Sequence, residues 1–388
     1  ILCCVGPDAA SWSLLVCVVG WCRCVEDADA RHGWHAATGV DAKTVPGPNT
    51  EWQLASGNTL GVNAPVTLSW DNGAGLLFSK QIAIDDKYMF TVTQSVENTS
   101  SATASMAPYA ILARHGIPTD LKNFFILHEG VVAMTDGEYS ETDWDELPEF
   151  EYNQRAGART QEENITKNGW IGFTDHYWMS VLIPTQGTAF KSVAKYDERR
   201  DIYQTEAVST VQTVAAGQTI SNTSQIFVGP KEWEVLNGYE NDGVYNFIDS
   251  IDWGIFSFLT KPIFWLLHHI NLLVGNMGIS IIALTLFIKA LLFPLAYKSY
   301  VSMAKMKELQ PKMEKMKEEA GDDRQKVQQG MMELYKKEKV NPAAGCLPIL
   351  LQIPIFFSLY KVIFVTIELR HAPFFGHFQD LNRSRTHI

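Results

Sequence analysis

Past its first 24 residues the chain holds a single cysteine, Cys346, because Cys3, Cys4, Cys17, Cys22 and Cys24 all lie at the start. No disulfide framework can therefore organise the bulk of the chain. Cys22 and Cys24 enclose one residue and no histidine follows at finger spacing, so a zinc module is not expected either. There is no glycine-rich phosphate loop, no Gly-x-Ser-x-Gly and no pairing of metal ligands, and His115, His128 and His176 stand singly in strand-like text. Isolated histidines of that kind are structural far more often than catalytic. Enzyme chemistry, a metal, a cofactor and a nucleic-acid partner are accordingly not expected. The acidic run from Met134 to Gly169 lacks the Asp-x-Asp-x-Asp-Gly register of a calcium loop and reads as an exposed excursion.

What is present is divided unevenly. Mean hydropathy is −0.06, an ordinary soluble value, yet the apolar residues concentrate beyond residue 250. Residues 33–250 hold 28 Asp/Glu against 13 Lys/Arg, whereas residues 298–339 hold 11 Lys/Arg against 8 Asp/Glu. Two dissimilar parts are therefore expected. Residues 1–32 have an apolar stretch too short to span a bilayer and no basic segment before it, and read as a non-native or unstructured leader.

Residues 33–250 contain short Val/Ile/Tyr/Phe/Thr runs closed by Asn-Gly, Asp-Asp and Ala-Gly turns, with Phe90, Val92 and Val96 on one face and Thr91, Thr93 and Ser95 on the other. Many such runs without helical text between them predict a large antiparallel β-sandwich. Residues 251–270 are aromatic-rich and carry Lys261-Pro262, which predicts an amphipathic interfacial helix lying on a membrane. Residues 277–297 and 345–367 are the two span candidates. Between them, residues 298–344 place Met303, Met306, Leu309, Met313 and Met316, then Val327, Met331, Leu334 and Tyr335, at three- and four-residue spacing around "AGDD". That pattern predicts a helical hairpin, and its basic excess puts it in the cytoplasm. The sandwich and the tail, residues 368–388, are then periplasmic. Methionine stripes mostly form helix seams, but Met303, Met306, Met313, Met316 and Met331 also offer an adaptable surface for clients or a targeting partner.

One lysine, Lys289, sits in the middle of the first span, with Thr285 one turn before it; Gln352 and Ser358 lie in the second span. A central lysine costs about 2.5–3.5 kcal/mol on insertion scales, while each Leu, Ile or Phe returns about 0.3–0.6 kcal/mol. The helix still inserts. Neither span contains Asp or Glu, so Lys289, Thr285, Gln352 and Ser358 are expected to line a polar pocket open to an incoming acidic group. Lys361 is placed nearer the outer end, where it can snorkel.

The stretches "VGNMGISIIALTLFIKALLFPLAYKSYVSMAKMKELQPKM", "GDDRQKVQQGMMELYKKEKVNPAAGCLPILLQIPIFFSLYKVIF" and "ELRHAPFFGHFQDL" resemble the YidC membrane-insertase family, bacterial relatives of the Oxa and Alb insertases. "WQLASG", "VTLSWDNG", "KYMFTVTQSVEN", "APYAILARHG" and "FVGPKEW" look like that family's periplasmic domain. The resemblance implies a β-super-sandwich similar to galactose mutarotases, followed by an α-helical transmembrane insertase core with a cytoplasmic hairpin. It implies a chaperone-like function: insertion of nascent inner-membrane proteins, alone or with the Sec translocon, through a hydrophilic groove with one basic residue. Lys289 falls at the place of that residue, usually arginine in the family. Lysine keeps the charge and loses the planar fork for carboxylates. A ribosome or targeting factor at the hairpin, and the lipid bilayer, complete the expected partners. The family has further spans at both ends, and the last seven residues, "NRSRTHI", are atypical, so a truncated or frame-disrupted copy is expected. The alternative is a membrane-anchored mutarotase-like domain that binds or epimerises a sugar.

Overall fold

The computed structural model describes residues 2–3, 16–17, 28–37, 40–119, 121, 127–320, 324–338 and 347–369. They form two compact units, Ile1–Asp252 and Trp253–Ile388, each treated by itself.

In the first unit β1 (Leu2–Cys3) pairs with β2 (Val16–Cys17). The remaining strands are β3 (Ala28–Ala36), β4 (Gln53–Ser56), β5 (Val66–Asp71), β6 (Leu76–Ile84), β7 (Met89–Asn98), β8 (Ala104–His115), β9 (Gly130–Thr135) and β10 (Glu138–Asp143). They continue with β11 (Tyr152–Asn153), β12 (Ala158–Ile165), β13 (Gly169–Thr174), β14 (Trp178–Pro184), β15 (Phe190–Asp197), β16 (Ile202–Ser209), β17 (Gln212–Val214) and β18 (Thr219–Pro230). A nine-stranded sheet runs β10-β9-β13-β14-β18-β7-β6-β5-β4, and a seven-stranded sheet is formed by β11-β12-β15-β16-β8-β17 with β3 added along β8. All the ladders within these sheets are antiparallel, and the pair makes a sandwich.

The period-two pattern decides which side chains face inward. On β7, Phe90, Val92 and Val96 are buried, while Thr93 and Ser95 meet Thr223 and Ser221 of β18 through hydroxyl contacts of 3.1 and 2.8 Å. Burial of Phe78, Phe90 and Phe227 contributes about 1.5–3 kcal/mol per side chain. The interior falls into two apolar clusters, one with Phe90, Leu112 and Ile226 and one with Trp34, Phe78 and Val96. At the level between them β6 and β7 pair Lys80 with Gln94. The Lys80 ammonium donates to the His32 carbonyl at 2.7 Å and lies 4.8 Å from the Trp52 ring. Helix α1 (Trp233–Asn241) closes the unit, its Tyr239 hydroxyl donating to the Lys87 carbonyl at 3.0 Å.

Two expectations change here. The sandwich starts at Ala28, because Ala30 and Trp34 pack inward and the whole of β3 pairs with β8; residues 28–32 belong to it and not to a leader. The acidic run after Met134 is largely exposed, but it is part of the sheets and not an excursion from them. It supplies β10, β11 and β12, and buries Trp144, Leu147 and Ile165. Its charges lie on edge positions and pair across strands, as Lys191 does with Glu162 at 2.9 Å, which lets an acidic segment still form sheet.

The second unit is helical. Helix α2 (Ser257–Val274) follows a turn at Gly254 and runs through Pro262 to a left-handed Gly275. Helix α3 (Met277–Ala320) continues without a break from the apolar stretch into the charged one; its 44 residues extend about 66 Å. The expected boundary at residue 297/298 is therefore not a structural one. Helix α4 (Arg324–Lys337) and helix α5 (Leu347–Val365) follow. The hairpin turn at 321–323, the link 339–346 and the tail from residue 370 lie outside the described residues. Among those that are described, α3 is long and apolar enough to cross a membrane over Met277–Met316, and Leu350–Val365 is a shorter apolar helix.

Candidate functional site

Among the side chains in the apolar part of helix α3, Met277, Ser280 and Leu284 are buried and form a stripe. Lys289 lies 12, 9 and 5 residues further on, which at about 100° per residue sets it about 150° round the helix from that stripe. The structure accordingly leaves Lys289 exposed. Its neighbours on the same open side are Ile282, Leu286 and Phe293, all exposed. Among the described residues a cation thus stands in an exposed apolar face. Thr285 shares the face, but its hydroxyl donates to the Ile282 carbonyl at 2.8 Å, so that proton is used within the helix.

The other two expected pocket residues separate. Gln352 and Ser358 are six residues apart on α5, about 120° round the helix. Gln352 is partly buried, whereas Ser358 is enclosed, on a stripe completed by Lys361, Val362 and Val365. Ser358 therefore belongs to a packed surface of α5. Lys361 is only 2% exposed, which corrects the expectation that it snorkels. Nothing in residue type distinguishes it from Lys289; the signal was its place three residues after Ser358 and one before Val362.

The hairpin uses part of its methionine stripe on itself. Met313 Sδ accepts from the Tyr335 hydroxyl at 3.7 Å, and Met316 Sδ lies where a Cβ on Gly330 would stand, 2.5 Å away. Lys312 pairs with Glu338 at 2.8 Å. Met313 and Met316 thus form the seam. Met303 is exposed, Met306 and Met331 are half-buried, and Met332 is the most open of the group.

The sandwich carries a cleft of about 90 Å³ on the outer face of its seven-stranded sheet, lined by Asp29, Arg31, His115, Lys195, Asp197, Arg200 and Gln204 over Ile111, Ala113 and Ile202. A histidine beside two carboxylates is what a sugar-converting site needs. Both carboxylates are engaged, however: Asp29 holds Arg31 at 2.5 Å and Asp197 holds Arg200 at 2.8 Å. Burial alone would raise the Asp197 carboxyl; the Arg200 guanidinium and the Arg199 N–H outweigh it and hold it below the usual carboxylate range. His128 is a structural residue, its ring nitrogens 2.8 Å from Asp143 Oδ1 and 3.0 Å from the Val131 carbonyl. Among the described residues no cluster of metal-ligating side chains occurs.

Against known families, residues 25–266 match the model of the YidC periplasmic domain and residues 269–387 that of the 60Kd inner membrane protein. The chain belongs to the YidC family. The membrane protein insertase YidC of Roseobacter denitrificans is 69% identical over 353 residues, which cover 91% of this chain and 58% of that protein. The chain thus spans little more than half the length of such a relative. Among solved structures it is similar to one described as an active YidC insertase with the first transmembrane domain resolved, at 18% identity and a TM-score of 0.33, covering 86% of this chain and 67% of that one. It is also similar to a galactose mutarotase related enzyme from Lactobacillus acidophilus, at 10% identity and a TM-score of 0.31, covering 47% and 72%. The start of the YidC match at residue 25 agrees with a sandwich that begins at Ala28. Lys289, Thr285, Gln352, Ser358 and Lys361 all fall in the part matched to the inner membrane protein.

Proposed function

We infer that this chain is the periplasmic and proximal membrane part of a membrane-protein insertase, and that the open face of α3 is the surface a client meets. The observation that carries the reading is Lys289, an exposed cation surrounded by exposed apolar side chains and facing away from the buried stripe of its helix. A cation so placed attracts the acidic or polar outer segment of a client, and the apolar residues around it then offer a path into lipid. Family membership and the insertase named among the relatives point the same way. No bond is made or broken in this function, so no catalytic group is required.

The chain lies in the inner membrane on this reading, crossing it with α3 and with α5. The sandwich is periplasmic, and the basic hairpin of the far part of α3 with α4 is cytoplasmic. Helix α2 lies at the interface, with Phe258, Trp265 and Leu272, seven residues apart and all exposed, turned toward lipid. Nascent inner-membrane proteins are the clients. The Sec translocon is a partner beside the membrane helices, and a ribosome or targeting factor meets Met303 and Met332 on the hairpin. Photo-crosslinkers placed along α3 of the full-length protein test this: nascent chains should be captured from Leu286 and Phe293 and not from Leu284. Capture from all three positions alike, or from none, would remove the open face as the client surface.

Sugar binding at the sandwich is the second reading: His115 shares the cleft with Asp29 and Asp197, although both carboxylates already hold arginines. Calorimetry with hexoses tests it, and absence of heat on titration would dismiss it.

A further inference from the structure

Lys361 is buried to 2% exposure, and Ser358, one turn earlier on the same stripe, is fully enclosed with no hydrogen-bond partner for its Oγ. What Lys361 packs on is the turn before α2. Gly254 there has φ +69°, and a Cβ on it would stand 3.3 Å from Lys361 Cε, 3.6 Å from Cδ and 3.7 Å from Nζ. Glycine suits this position for its left-handed backbone, and the lysine stem passes close enough to touch a Cβ placed there. Two residues on, Phe256 meets Phe357 edge to face, with ring centroids 5.5 Å apart at 74°. The buried stripe of α5 is therefore seated on the start of α2.

An ammonium has three protons to donate and accepts none. In an apolar helix it is held only where acceptors meet it. The Gly254 carbonyl accepts from the Ser257 N–H and the Phe256 carbonyl from those of Leu259 and Thr260, which orders the turn that the lysine stem reaches; each carbonyl oxygen has two lone pairs, so a turn carbonyl can accept from an ammonium as well. The geometry points to Lys361 as a positioning residue that ties α5 to the turn launching α2, and so sets where the α5 wall stands for a client. Lys289 meets the client; Lys361 holds the scaffold. The functional half of this assignment rests on the insertase reading, whereas the docking half does not.

The test uses the full-length protein in membrane vesicles, with native cysteines replaced by serine and a cysteine pair introduced by Phe256→Cys and Phe357→Cys. Lys361→Met should slow disulfide formation by about threefold to thirtyfold, the range expected for losing an interhelical polar contact in a membrane. Gly254→Ala should slow it as well, while Ser358→Ala, which removes no hydrogen bond, should leave it unchanged. In insertion assays with the native phenylalanines, at unchanged membrane abundance, Lys361→Met should slow acidic-tailed and neutral clients by the same factor. Wild-type crosslinking in Lys361→Met would overturn the docking. Slowing confined to acidic clients would make Lys361 a client-binding group, and no slowing of either client would remove its role in insertion. If the Lys289 reading fails, the crosslinking result still stands or falls by its own outcome.

Discussion

Replacing Lys289 by methionine keeps the length and apolar stem of the side chain and removes only the charge, so the change in client handling can be worked out. A carboxylate carried to the bilayer centre costs about 2.5–3.5 kcal/mol on insertion scales. A lysine ammonium about 4 Å from that carboxylate, at an effective dielectric near 20, returns about 4 kcal/mol. Lys289 is exposed and not enclosed, so hydration reduces that attraction; taking half leaves about 2 kcal/mol, a factor of about thirty in rate. The charge therefore offsets most of the cost of one acidic residue and no more than one. The assay is insertion into liposomes by the full-length protein, using two clients identical except for Asp→Asn in the outer segment. Lys289→Met should lower the rate for the acidic client by about thirtyfold and leave the neutral one within about twofold, because uncharged clients never gained the Coulomb term. Lys289→Glu should widen the gap. Equal slowing of both clients would refute the reasoning, since it would make Lys289 a structural residue; no slowing of either would remove it from the path.

Other consequences concern the sandwich. Burial pushes Lys80 down from 10.5 to about 8; the unfolded chain then binds more protons than the native one between those values, so stability rises with pH across that window by up to about 3 kcal/mol. Unfolding midpoints of wild type and Lys80→Met should converge between pH 8 and pH 10.5, and a constant difference would show that Lys80 is not desolvated. Asp136 accepts from the backbone N–H groups of Thr166, Lys167 and Asn168 and from the Thr166 hydroxyl, which holds its carboxyl well below the usual range. Its contribution is complete above the ordinary carboxylate pKa and fades in acid. Asp136→Asn should melt earlier than wild type at neutral pH, with the gap closing as pH falls. A Cβ on Gly172 would stand 2.0 Å from the Ser180 carbonyl oxygen and 2.6 Å from Val181 Cα; Gly172→Ala should cost about 1–3 kcal/mol, visible as a lower melting temperature. Gly238, in α1 with nothing within 4 Å of its Cβ site, should tolerate alanine and gain about 0.5–1 kcal/mol.

Local features of the sandwich could be read from the sequence because they rest on short-range chemistry. Asn72-Gly73, Asp85-Asp86 and Ala216-Gly217 each fall between consecutive strands, and the inward set Phe90, Val92 and Val96 follows from strict alternation. The partner of β3 could not be read, since Ala28 pairs with Arg114 across more than 80 residues and nothing local encodes that. Its existence as a strand had a visible signal, for Ala30, His32, Trp34 and Ala36 alternate just as Phe90 and Val92 do. The acidic run is exposed as its charge implies, but its strands were not legible while charge was weighed without position: on an edge strand a carboxylate faces water or a cross-strand lysine and does not oppose pairing. In the helical unit the periodicity of the methionines marked the hairpin seam, and Met316 against Gly330 is part of it. The continuity of α3 through Pro294 and past Tyr297 was hidden by the change from apolar to charged residues, which alters the solvent of a helix and not its backbone.

The two lysines show where sequence reasoning stops. Each is flanked by apolar residues, and hydropathy assigns each a similar insertion cost. What separates them is angular position: Lys289 is about 150° from the buried stripe of its own helix, while Lys361 lies on the buried stripe of α5 beside Val362. A charge on an open face is available to whatever arrives, and an occupant that comes and goes can relieve its cost. A charge on a packed face is relieved once, during folding, and thereafter makes the contact it serves hard to replace. On the insertase reading the two kinds are complementary, since a surface that binds clients transiently is best carried by helices that stay together when the client leaves.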